Sequence, residues 1–169
     1  EAGDVRLLQQ VYADWRREKA AYQARVLYRR YPLARLVWAA NDQMAFGAMQ
    51  AWRATGGEPG RDAWFGTMNT SAEAFAALRG GEIEALAGGN FLTGALGLVL
   101  VYDHAHGYDF AQEGLEQRWP LFVLFDQELA ARAERQFSDP GARLDFRAFS
   151  RAWHGGEPRA PFDLKRLLY

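Results

Sequence analysis

Four short polar groupings interrupt the apolar runs of this 169-residue chain: Asp14-Trp15, Asn41-Asp42, Asn69-Thr70-Ser71 and Gly89-Asn90. Side-chain amides donate and accept hydrogen bonds at once, as sugar hydroxyls do, and an indole can lie against the apolar face of a sugar ring. The groupings therefore suit a neutral, polyhydroxylated ligand. None pairs an acid with a base as proton-transfer catalysis requires. Each also has a plainer reading: Asn41 can be a helix cap, and Trp15 can be a core residue.

An alternation of strands and helices would position these residues. Residues 5–12 read as a strand and residues 15–31 as a helix closed by Pro32. Residues 36–40 read as a strand, and 42–54 as a helix ended by Gly56-Gly57. Turn chemistry over 58–62 leads to a strand at 63–67. Ser71 can cap a helix reaching Leu78, with Glu73 in its first turn. A strand at 83–87 follows. This rhythm predicts an α/β fold with a parallel sheet flanked by helices. Ligands in such a sheet bind where strand C-termini meet helix N-termini, and the polar groupings fall at those junctions.

Composition removes several function classes. The net charge of −1 argues against a broad footprint on nucleic acid or an anionic membrane. The arginines of the first helix, Arg16, Arg17, Arg25, Arg29 and Arg30, read as a solvated face. No cysteine is present, so disulfides, zinc–thiolate sites and cysteine nucleophiles are excluded. G-x-S-x-G, P-loop, G-x-G-x-x-G and H-E-x-x-H patterns are all missing. His104 and His106, two apart near Asp103 and Asp109, do not share a helix face and do not read as a metal site. No catalytic residue, metal or cofactor is expected. Glu1-Ala-Gly-Asp4 is not a secretory leader, and the apolar run at 91–102 is too short for a bilayer.

Beyond Asn90 the pattern changes. Residues 91–104 read as a helix that is apolar nearly all round, hence buried on more than one side. Residues 119–125 read as an interior strand. An amphipathic helix at 127–137, a break at 138–141, a short helix at 146–153, a loop at 155–158 and a last turn or helix at 162–169 complete the chain.

Ala13-Asp14-Trp15-Arg16, Tyr31-Pro32 and Ala40-Asn41-Asp42-Gln43-Met44-Ala45-Phe46-Gly47-Ala48, in that order, resemble the second lobe of type I periplasmic binding proteins, the ribose-binding and related sugar-binding group. The turn and strand at 56–66 and the Gly81-Glu-Ile-Glu-Ala85 stretch continue the pattern. The resemblance implies that Trp15 packs on a sugar ring and that Asn41 bonds its hydroxyls. Asp14 precedes the aromatic in the same motif. It also implies that Asn69 stands near a position where the family usually carries a carboxylate, a departure that weakens a ribose-like or galactose-like assignment. Asn90 lies one residue from a family amide.

The resemblance further divides the chain. Residues 1–90 would belong to the second, ligand-binding lobe. Residues 91–126 would be a hinge crossover with a helix–strand segment of the first lobe, and 127–169 a C-terminal helical extension. The expected partners of the 91–125 segment are then a missing N-terminal lobe or a second copy of the chain.

The function implied is non-catalytic: a periplasmic protein that holds a sugar or similar small polar ligand in an interlobe cleft. It would hand that ligand to an import permease or report it to a sensor kinase. The alternatives are the effector-binding domain of a transcription repressor, which would be cytoplasmic, and a small hydrolase or transferase on the same sheet.

Overall fold

The computed structural model describes residues 5–114, 116, 119, 121–139, 144–156 and 163–168. They form two compact units, Glu1–Leu86 and Ala87–Tyr169. The first contains α1 (Arg17–Arg30), β1 (Leu36–Trp38), α2 (Asp42–Arg53), β2 (Trp64–Met68), α3 (Ala72–Arg79) and the start of β3 (Ala85–Gly88). The second contains α4 (Leu92–Ala105), β4 (Val123–Phe125), α5 (Gln127–Ser138), α6 (Arg151–His154) and α7 (Leu164–Leu167), with single 3-10 turns at Ala111–Glu113 and Phe146–Phe149. The strand order is β1-β2-β3-β4. β1 and β2 are parallel, with Leu36, Val37 and Trp38 opposite Trp64, Phe65 and Gly66. This is the α/β architecture the sequence predicts.

Helix ends in the first unit follow from local chemistry. Asn41 caps α2 by accepting from the Met44 amide at 2.8 Å, and Ser71 caps α3 by accepting from the Ala74 amide at 3.1 Å. Asp42 and Glu73 sit in first turns and Arg53 and Arg79 in last turns, each complementing the helix dipole. α1 packs on α2 at Gly47, where an added Cβ would collide with the Arg17 carbonyl and approach the Ala21 nitrogen to 3.0 Å. The glycine in the Met-Ala-x-Gly-Ala run is therefore a contact between two helix backbones. Phe65, Phe75, Met49, Ile83 and Leu86 fill the centre of this unit, and full burial of each stabilises it by roughly 1.5–3 kcal/mol.

The turn at 58–62 is held from inside. Asp62 accepts from the Trp52 indole at 2.7 Å and from the Glu58 amide at 2.9 Å. The Trp52 hydrogen bond is the main cause that holds the Asp62 carboxyl below the usual carboxylate range. Gly60 takes φ 80° in this turn, and a side chain there would strike the Gly81 carbonyl. Trp52 meets the Tyr28 ring edge-on at 5.1 Å and lies beneath the Arg35 guanidinium at 5.3 Å. Tyr28 donates to the Ala48 carbonyl at 3.0 Å, and burial pushes its phenol well above the usual range.

Two expectations need correction here. Residues 5–12 are not a strand: no described strand pairs with them, and Val5, Leu7 and Tyr12 stand exposed. The first helix starts at Arg17, and Trp15 lies outside it. α4 buries Leu92, Leu96, Val99 and Asp103 along one helical stripe while Leu98 and Val101 face solvent, as expected of a segment whose main partner is not in this chain. It is thus covered on one side, although its composition is apolar all round.

In the second unit, Asp103 is 1% exposed and accepts from Ser150 Oγ at 2.5 Å and from the Arg151 and Ala152 amides at 2.8 and 3.1 Å. This carboxylate fastens the 146–154 segment to α4. Phe91 and Phe137 meet edge-on at 5.2 Å, joining the approach to α4 with the end of α5. The expected strand at 119–125 is reduced to β4. Glu1–Asp4 of the leader reading, Pro140-Gly141 of the break, Glu157-Pro158 of the loop, and Phe162 and Tyr169 of the last helix lie outside the described residues. Among the described residues no helix is long and apolar enough to cross a membrane, and no group of three or more His, Asp or Glu side chains could hold a metal.

Candidate functional site

At the top of β1 the chain turns into α2 through Asn41, whose side chain works in two directions. Its Oδ1 caps the helix, and its Nδ2 donates to the Trp15 carbonyl at 3.3 Å. One amide hydrogen and one lone pair remain beyond these bonds. The carbonyl it holds belongs to a backbone that most residues avoid: Asp14 and Trp15 take φ 49° and 60°. Trp15 is 67% exposed, so its ring is not packed in the core of the first unit. Asp14 is paired with Lys19, so its carboxylate already has a cation.

Asp42, the next residue, does more than favour the helix terminus. It is 4% exposed. One oxygen accepts from its neighbour's amide at Gln43, 2.9 Å away, and from Asn69 Nδ2 at 3.2 Å; the other accepts from Ser71 Oγ at 2.5 Å. The loop after β2 is thereby tied to the start of α2. Thr67 adds a second tie by donating to the Ala39 carbonyl at 3.0 Å. Asn69 has φ 102°, so all three non-glycine residues with positive φ among those described (Asp14, Trp15 and Asn69) belong to this one region. Strained backbone of this kind persists only when surrounding bonds over-determine it, and it gathers at ligand sites.

Four of the five sequence-selected residues thus form one chain of contacts: Asp14 and Trp15, then Asn41, then, through Asp42, Asn69. Asn90 belongs to the second unit, where it is exposed just before α4.

The first unit's geometry accompanies a close likeness to a known protein. A periplasmic sugar-binding protein from Pseudomonas fluorescens matches 97% of this chain and 50% of its own, with 41% identity and a TM-score of 0.88. The chain shares the fold of the type I periplasmic sugar-binding proteins. A Mycobacterium smegmatis protein crystallised with β-D-fucofuranose is 27% identical, with a TM-score of 0.57 over 75% of this chain and 41% of that one. The binding component of an arabinose ABC transporter from Shewanella sp. ANA-3, bound to α- and β-L-arabinofuranose, shares the fold at 21% identity and a TM-score of 0.63, over 76% of this chain and 43% of that one. The chain spans about half the length of these solved structures. No family model and no curated protein matches it.

Within that family fold, sequence reasoning missed the roles of Asp42, Ser71 and Lys19. Asp42 and Ser71 each look like a helix-terminal residue, and only three-dimensional placement shows that they bond to one another across 29 positions. The Asp14–Lys19 pair was open to a spacing argument, since a residue just before a helix is within reach of its first turn.

Proposed function

We propose that the chain is part of a non-catalytic, periplasmic solute-binding protein, and that Trp15, Asn41, Asn69 and Asp14 contact a sugar or similar small polar ligand, with Asn90 a further contact. The observation that carries this reading is the Trp15 indole, exposed on a strained backbone whose carbonyl is held by Asn41. A large apolar ring kept in water at such cost has a use if a sugar face covers it. The 41% identity to a periplasmic sugar-binding protein supports the same class, and two neighbours crystallised with furanoses make five-membered sugar rings the first ligands to try.

In this reading residues 1–90 supply part of the second lobe, residues 91–126 the hinge crossover and a first-lobe segment, and residues 127–169 an extension. Ligand-driven closure about the hinge would present a surface to an import permease or a sensor kinase. Calorimetric titration of the chain with L-arabinose and D-fucose tests the proposal. Binding that is lost in Trp15→Leu while the melting temperature holds supports it. Trp15→Leu binding as tightly as the parent would remove the indole from the site.

A further inference from the structure

Asn41 and Asp42 are neighbours in sequence but hold different strained segments. Asn41 reaches back to the Trp15 carbonyl, and Asp42 reaches across to Asn69 and Ser71. The Asp42 carboxylate is buried and accepts three hydrogen bonds, so it has little capacity left for a ligand. We infer that Asp42 is a positioning residue: it fixes Asn69 at its positive φ and so sets where the Asn69 side chain stands in the sugar site. This inference rests on the sugar-binding reading for its functional consequence, but its structural half stands without a ligand.

The physical argument turns on what Asn69 would do unheld. A residue other than glycine at φ 102° relaxes to extended backbone unless something opposes it. The charge-assisted bond from its Nδ2 to Asp42 is one such opposing contact, strengthened because the acceptor is out of water. Ser71 binds the second oxygen and keeps the carboxylate from rotating away, while its own Oγ caps α3 through the Ala74 amide. The start of α2, the end of β2 and the start of α3 therefore converge on one carboxylate.

The test has two arms on the whole chain. Without ligand, the amide–Hα coupling of Asn69 measured by NMR reports its φ. Asp42→Ala should shift that coupling toward the extended value, and Asp42→Asn, which retains an acceptor for Asn69, should restore it. Ser71→Ala, which frees the carboxylate to rotate, should shift it part of the way in the same direction. With L-arabinose or D-fucose as probe, Asp42→Ala should weaken binding about tenfold at a measurable fold. It should add nothing once Asn69 is already alanine, because the two residues act as one unit.

Asn69 coupling unchanged in Asp42→Ala overturns the inference, as do additive losses in the double variant. If Asp42→Ala alone does not fold, Asp42→Ala with Asn69→Gly decides, since glycine takes this backbone without strain. The double variant folding supports the inference, and its failure makes Asp42 an ordinary buried polar group. If neither sugar binds any form, the sugar-binding reading fails for these sugars while the coupling still judges Asp42.

Discussion

Alanine at position 47 should push α1 and α2 apart. A Cβ built on Gly47 collides with the Arg17 carbonyl oxygen, stands 3.0 Å from the Ala21 nitrogen and 3.1 Å from the Ala20 Cβ. Two of those three neighbours are backbone atoms and cannot rotate away, so the helices themselves must separate. Overpacking of this type costs about 1–3 kcal/mol, and backbone obstruction puts Gly47→Ala near the upper end. Helix propensity acts in the opposite direction, favouring alanine by about 1 kcal/mol. The net expectation is a loss of about 2 kcal/mol from the first unit.

Gly97→Ala in α4 is the control, because a Cβ there meets nothing within 4 Å. Propensity acts alone at that position, and the same chemical change should stabilise the second unit by about 0.5–1 kcal/mol. Urea unfolding followed by circular dichroism and tryptophan emission reads both, and Trp52 reports on the first unit because it is buried there. A Gly47→Ala chain as stable as the parent would refute the close-approach argument.

Other outcomes are equally specific. Tyr28→Phe removes the hydroxyl from the Ala48 carbonyl and should lower stability by about 1 kcal/mol in thermal melts. The Asp62 carboxyl is depressed in the fold, so its contribution is complete above the ordinary carboxylate pKa of about 4 and is lost as pH falls through the folded value. Acid titration should therefore narrow the stability gap between the parent and Asp62→Asn below about pH 4, and a gap that widens there would reverse the sign of the argument. Asp103→Ala strands a hydroxyl and two amides, so limited proteolysis should cut the 146–154 segment faster while the first unit stays intact. Asn41→Ala removes a cap worth about 1 kcal/mol and releases the Trp15 carbonyl, which should change tryptophan emission even without ligand.

What the sequence makes legible here is whatever depends on near neighbours. Asn41 and Ser71 each precede an apolar run by one helical turn's chemistry, and both cap the helices expected of them. The strand–helix alternation likewise places β1, β2 and β3 close to their expected positions, because each is bounded by turn residues. Strand assignment fails at 5–12 because residue types there carry no information about whether a neighbouring strand exists. For α4, composition shows that Leu98 and Val101 are apolar, and their exposure in this chain agrees with a segment whose expected partner is a missing lobe or a second copy.

The site is legible in its residue types and illegible in its geometry. Trp15 is open to a core reading in sequence because nothing local marks a tryptophan for positive φ, and three-dimensional contact from Asn41 supplies the reason. Asn69 is different. Asparagine is among the few residues tolerant of that backbone, so its place one step past β2 was a usable signal. Asp42 and Ser71 show the remaining limit, since a bond spanning 29 positions leaves no periodic trace.

β1 carries a liability. It stands at the end of the strand order, and Leu36 and Trp38 face outward with Trp64 beside them on the same side of the sheet. Among the described residues an unpaired edge and an uncovered greasy surface coincide on one strand, the combination that recruits stray strands into aggregates. Its length of only three residues limits how many ladder bonds an intruder can make. Colloidal behaviour should then respond to charge at this one place: Trp38→Lys should suppress light scattering in concentrated, warmed solution while the melting temperature barely moves.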